Sequence, residues 1–331
     1  MPSIRRAAAL GAAAAALLPA GAVAARHPND PLLARQQHLR ATHAAAAWQL
    51  ATGGPVKVAV IDTGIDLRHR DLRGNLWTNP GEIAGNRRDD DGNGYVDDVH
   101  GYDFVDNDGE PRDESGHGTM VAGVLAARGN NARGISGVAQ TAQIMSVRVL
   151  DARGAGSFAT VAKGIRYAAA NGARVANVSI SPGATLDGMP EAIAYARSVG
   201  MLVVVIAGND TLDLGVSRLY PACSTMVNVI TVAATDMRGR YAWFSNRGSC
   251  VDVTAPGTRI LSTQRGGGYR RENGTSFAAP QVAGAAVLAL VRRPDLSVSQ
   301  LAGALRVRSG RAARRRPVTR LNVSAVVRSV R

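Results

Sequence analysis

The sequence predicts an α/β fold in which helices cover both faces of a mostly parallel central sheet. Three observations carry this expectation. Short, nearly continuous apolar runs recur along the chain, at residues 56–61, 144–150, 175–180 and 201–206, as expected of strands buried on both faces. Amphipathic helical segments at 158–170 and 189–199 separate them, the alternation that builds parallel sheets. Polar, chemistry-bearing residues stand just beyond several apolar runs, the side of such sheets on which ligands bind. Hydrophobic residues make up 46 % of the 331-residue chain, enough for a large core, and no linker divides it after residue 27.

Taken in order, a polar lead at 26–40 precedes a short segment, 44–50, that carries Trp48. The run 56–61, VKVAVI, ends in Asp62-Thr63-Gly64-Ile65-Asp66. A carboxylate there is well placed for function, although Asp also serves simply to open a turn. Residues 116–125, GHGTMVAGVL, place small and apolar residues on a helical face, so His117 begins a closely packed helix, and its glycine neighbours leave the imidazole reachable. The run 201–206 leads into Ala207-Gly208-Asn209-Asp210, where the Asn209 amide can address a substrate oxygen or merely shape a turn. Residues 227–233 and 250–253 read as shorter strands. The stretch 274–291, GTSFAAPQVAGAAVLALV, is apolar all round and belongs inside a domain. Ser276 sits at its start, where free N–H groups and the helix dipole favour a nearby anion.

The N-terminus combines Arg5 and Arg6, an apolar run at 7–22 and the small-x-small triplet Ala22-Val23-Ala24. This is the layout of a secretory signal peptide over residues 1–25. Export makes the two cysteines, Cys223 and Cys250, read as one disulfide. No other stretch approaches the ~20 apolar residues of a membrane span. The formal charge is +14, carried almost wholly by arginine. Without a basic stripe interleaved with aromatics this does not indicate nucleic-acid binding, although Arg311, Arg314, Arg315 and Arg316 could meet an anionic surface.

Residues 89–114 differ from the rest: eleven of the 25 acidic residues fall there (Asp89, Asp90, Asp91, Asp97, Asp98, Asp103, Asp106, Asp108, Glu110, Asp113 and Glu114). Such crowding repels itself unless a cation sits within it. The segment 89–98, DDDGNGYVDD, follows the first half of a D-x-D-x-N-G calcium loop. A structural Ca²⁺ held by Asp89, Asp91, Asn93, Tyr95, Asp97 and Asp98 is expected. His100 stands where the usual closing glutamate would be, so Asp97 or Asp98 must complete the shell.

Asp62, His117 and Ser276 together supply an orienting carboxylate, a general base and a nucleophile, and Asn209 adds an oxyanion donor. In AVIDTGID, GHGTMVAG, GTSFAAP and AGND the chain resembles the subtilases, the subtilisin-like serine protease family, which share the chain order Asp…His…Ser. The likeness spans about residues 29–325. It implies a subtilisin-like three-layer α/β/α fold and a serine endopeptidase acting on protein or peptide substrates; the leader makes a secreted or periplasmic location the expectation, with a monomer and no nucleic-acid or stable membrane partner. Residues 26–331 are expected to form the peptidase domain, with no recognisable propeptide where members of the family commonly carry one; the likeness further implies that the segment 177–181, with Ser179, Ile180 and Ser181, binds substrate as an added strand. FSNRGSCVDVTAPG at 244–257 resembles a disulfide-bearing branch of the family and supports the pair Cys223–Cys250. Departures occur at Ser181, where many relatives have glycine, at Ile206, where a small residue is usual, and at Met120, which replaces a second histidine. Asp210, beside Asn209, motivates an alternative: a dedicated processing protease cutting a specific leader or precursor after a basic residue.

Overall fold

The computed structural model describes residues 28–184, 186–306 and 319–330. The expected leader at 1–25 and the cluster Arg311, Arg314, Arg315 and Arg316 lie outside them. The first half of the chain forms helices α1 (Gln37–Ala41) and α2 (Ala44–Ala47), strands β1 (Lys57–Asp62) and β2 (Gly101–Asp103), helix α3 (His117–Ala126), strand β3 (Gln143–Arg148) and helix α4 (Phe158–Ala170). There follow β4 (Val175–Val178), α5 (Met189–Ser198), β5 (Leu202–Ile206), β6 (Val229–Thr235) and β7 (Val253–Pro256). The hairpin β8 (Ile260–Gln264) and β9 (Gly268–Glu272) leads to α6 (Ala279–Arg292), α7 (Val298–Leu305), β10 (Thr319–Arg320) and α8 (Val323–Ser329).

Eight strands make one sheet in the order β10-β7-β6-β5-β4-β1-β3-β2, and neighbouring strands run parallel. Strand β1 lies between β3 and β4, in register with both: Ala59 faces Met145 on one side and Ala176 on the other. From β1 the chain builds outward in both directions, so the strand order reverses there, and the C-terminal end of β1 is the crevice where open α/β sheets bind ligands. Asp62 is the last residue of that strand.

The three layers can be read from alternate residues of β1. Val58 and Val60 pack into the core shared with α3, α6, α7 and α8. Ala59 and Ile61 face the core shared with α4 and α5. Residues 279–290 of α6 are all buried. By length and composition Thr275–Arg292 would pass for a membrane span, but 89 % of it is buried inside the protein, as a core helix.

Three local features differ from the sequence reading. Ser276 lies in a short 3-10 turn, Thr275–Phe277, and α6 starts only at Ala279, with Pro280 in its first turn where a missing N–H costs nothing. The strand expected at 250–253 begins at Val253. Before it, the Val251 N–H closes a turn on the Gly248 carbonyl, and Cys250 is joined to Cys223 in a disulfide. The β8–β9 hairpin was not separated from its surroundings by periodicity. It is anchored to α3 by the Ser262 and Thr263 hydroxyls, which donate to the Met120 and Thr119 carbonyls.

Candidate active site

Asp62 is fully buried at the end of β1, and its Oδ1 lies 2.7 Å from His117 Nδ1. The Thr63 N–H donates to the same oxygen, whereas Oδ2 has no partner among the described residues. This contact assigns the imidazole proton to Nδ1 and leaves Nε2 as the basic nitrogen. Burial, the largest influence, disfavours charging His117. The attraction and hydrogen bond of Asp62, with the charge of Asp113, outweigh it, and Arg270 opposes them more weakly, so the pKa lies above the ordinary imidazole value.

Two glycines let these side chains meet. A Cβ on Gly118 would fall 2.1 Å from the Gly64 carbonyl oxygen and 3.2 Å from Asp62 Cβ, so α3 can approach the end of β1 only because position 118 has no side chain. Gly64 has φ +93°, in the left-handed region, and a Cβ there would collide with the backbone of residues 111 and 112. Gly118, beside His117, thus serves close packing as well as leaving the ring accessible.

His117, Ser276 and Asn209 line one cleft of about 490 Å³. Ser276 is nearly buried and its hydroxyl makes no hydrogen bond to the described residues; such bonds often tighten only when substrate binds. Asn209 Oδ1 accepts from both the N–H and the hydroxyl of Thr275, each at 2.9 Å. With its oxygen held, the Nδ2 donor is directed elsewhere, and the residue borders the cleft. Ser179, Ile180 and Ser181 also line it. They continue β4 beyond its last paired residue, Val178. The Ser179 hydroxyl accepts from Asn177 and donates to the Ser276 carbonyl, fixing this strand extension beside the serine. The far end of the cleft, formed by Arg153–Ser157, Phe158 and Val161, was not singled out in the sequence; its glycine-rich R-G-A-G-S pattern was the available signal.

The acidic loop gathers only part of the expected ligand set. Carboxylate oxygens of Glu82, Asp91 and Asp98 lie within 4.8 Å of one another. Asp98 is fully buried and accepts from Asn79, Asn93 and the Tyr167 hydroxyl. Asn93 shapes the loop as an amide donor to Asp91 and Asp98. Asp89 instead accepts the N–H groups of Asn93 and Gly94, and Asp97 those of Gly85 and Arg87. The Tyr95 ring packs edge-on against Tyr102, Phe104 and Tyr167. Glu82, seven residues before the motif, has no recognisable spacing to it. Its Oε2 is buried without a hydrogen-bond partner, an orphan that suits a hard divalent cation.

The model of the subtilase family matches residues 53–322. Thermitase from Thermoactinomyces vulgaris is 40 % identical over 262 residues, 79 % of this chain and 84 % of that protein. Subtilisin Savinase from Lederbergia lenta is 40 % identical over 253 residues, 76 % of this chain and 81 % of its own. Among solved structures, a protease from Pseudoalteromonas arctica superposes with a TM-score of 0.77 at 30 % identity, covering 92 % of this chain and 99 % of that one. A cold-adapted subtilisin-like serine proteinase gives 0.65 at 34 % identity, covering 78 % and 84 %.

Proposed function

The chain belongs to the subtilase family of serine endopeptidases, and from that membership we propose that it is exported and cuts polypeptides through Asp62, His117 and Ser276. The observation that carries this reading is the 2.7 Å contact of Asp62 with His117 Nδ1 on the wall of a cleft shared with Ser276 and Asn209. His117 Nε2 takes the proton of Ser276 Oγ as that oxygen attacks the peptide carbonyl carbon. Asp62 stabilises the imidazolium that forms. The oxyanion is held by the Asn209 side chain and the Ser276 backbone N–H. His117 then gives its proton to the departing amine, and water hydrolyses the acyl-enzyme by the same proton route. Substrate pairs as an added strand along residues 179–181, whose backbone is not taken up by the sheet.

Residues 1–25 act as the export leader in this reading, 26–331 as one peptidase domain working as a monomer, and protein or peptide chains as substrates. Calcium fits the Glu82, Asp91 and Asp98 oxygens, where it would neutralise three converging carboxylates and brace the loop. A processing role is the second reading. It rests on Asp210, which is exposed beside Asn209 and would attract a basic substrate side chain; a broad apolar preference in a peptide library would remove it.

Fluorophosphonate labelling of wild type beside Ser276→Ala, followed by casein digestion, tests the main reading. Labelling that vanishes in the variant, with cleavage lost on the order of 10⁶-fold in kcat, is expected. A folded, calcium-loaded wild type that takes no label would overturn it.

A further inference from the structure

Helix α3 opens on His117 with Gly116 as its N-cap, a residue with no side chain to satisfy the first N–H groups. The Gly116 and Thr119 N–H groups are collected instead by Asp113. Asp113 is 3 % exposed, and its two carboxylate oxygens accept five hydrogen bonds. Oδ1 takes the Thr63 hydroxyl at 2.8 Å, the Ser115 N–H at 3.0 Å and the Gly116 N–H at 2.7 Å. Oδ2 takes the Thr119 N–H at 2.8 Å and the Thr119 hydroxyl at 2.5 Å.

The Thr63 hydroxyl, while donating to Asp113, accepts the Gly118 N–H at 2.9 Å. Thr119 Oγ1 likewise accepts the Asp66 N–H. One carboxylate therefore grips the residue after Asp62 and the residues on both sides of His117. A negative group at a helix N-terminus is also favoured by the helix dipole.

We propose that Asp113 is a positioning residue of the active site, fixing Asp62 and His117 at their 2.7 Å separation by clamping the end of β1 to the first turn of α3. It touches neither substrate nor the reacting atoms and acts through His117, so the proposal rests on the reading of His117 as the general base. Loss of the clamp lets the imidazole drift from both Asp62 and Ser276, and a displacement of that kind lowers the chemical step while leaving substrate binding largely intact.

The test is Asp113→Asn in the whole protein, with kcat referred to active sites counted by fluorophosphonate titration. Asparagine keeps the shape but turns an NH₂ toward donors that need an acceptor. A fall in kcat on the order of 10²-fold is expected, with KM little changed. The acid limb of the pH–kcat/KM profile also moves to lower pH. Of the charges around His117, Asp62 and Asp113 favour the imidazolium and Arg270 disfavours it, so removing Asp113 removes support for the charged form. Should Asp113→Asn fail to fold, Thr119→Val and Thr119→Ser decide the matter. Valine deletes the hydroxyl donor but keeps the Asp113 charge, so kcat falls while the acid limb stays. Serine keeps the donor and restores kcat. Unchanged kcat per active site in the asparagine variant, or in the valine variant when asparagine does not fold, overturns the proposal even where wild type labels normally. A wild type that takes no label overturns both the proposal and the reading on which it rests.

Discussion

Two regions of this molecule concentrate carboxylates, and they differ in how far the protein itself compensates them. At the active-site corner, buried Asp113 receives five donors from the protein, and Asp62 faces His117. In the acidic loop, Glu82, Asp91 and Asp98 bring oxygens within 4.8 Å of one another, and a buried Glu82 oxygen has no donor. A buried carboxylate needs hydrogen bonds or a cation. At the corner the compensation comes chiefly from the protein; in the loop, protein donors reach Asp98 but leave a Glu82 oxygen without one, and that is where the proposed calcium would act. Substitutions of the proposed triad and oxyanion side chains should therefore act mainly on rate, and cation removal mainly on stability.

The largest break in that contrast comes at Asp62. Asp62→Asn keeps the side-chain volume but presents the wrong hydrogen-bonding partner to Nδ1, so kcat is expected to drop on the order of 10⁴-fold. The thermal midpoint, followed by circular dichroism, should barely move; a large fall would mean that the corner is mainly structural. Asn209→Ala comes next, at about 10²–10³-fold in kcat with little change in KM. Equal losses in kcat and in ground-state inhibitor affinity would remove the oxyanion role.

Chelation probes the other region. A cation present at about a hundred times its dissociation constant stabilises the fold by about 2.7 kcal/mol, so EDTA should lower the midpoint by roughly 5 °C or more. The rate per active site, measured at low temperature, should persist. A midpoint indifferent to EDTA and to Glu82→Gln would mean that the three carboxylates hold no structural ion.

The smallest effect is in pH. The pKa of His117 lies above the ordinary imidazole value because Asp62 and Asp113 outweigh burial, and in the proposed mechanism the ring must be neutral to accept a proton. Activity should therefore be lost on acidification through a midpoint above the ordinary 6.5. A midpoint below that value would mean that burial, and not the carboxylates, governs the ring.

Much of this was legible in the sequence because its signals are local. Apolar runs set the strands, and helix α4 runs over the expected residues, Phe158–Ala170, because an amphipathic period lies wholly within the segment. Asp62, His117, Asn209 and Ser276 each sit in a short motif whose small neighbours mark it. The cysteine pair Cys223–Cys250 was expected from the export leader and the resemblance, and the disulfide is present. What tertiary structure alone decided are matters of approach across sequence distance. Glu82 reaches Asp91 and Asp98 because a loop folds back on itself. Thr275 orients Asn209 from 66 residues away. Arg148, a lone charge in an apolar run, is buried against Asp103, Asp106 and Glu114, and strand pairing places it beside Asp62. Asp113 looked like one acid among eleven until α3 and β1 supplied its donors. The residue types present are fixed by the chain, but whether a carboxylate is compensated by a donor or by an ion depends on which groups lie a few ångströms away, and only folding sets that distance.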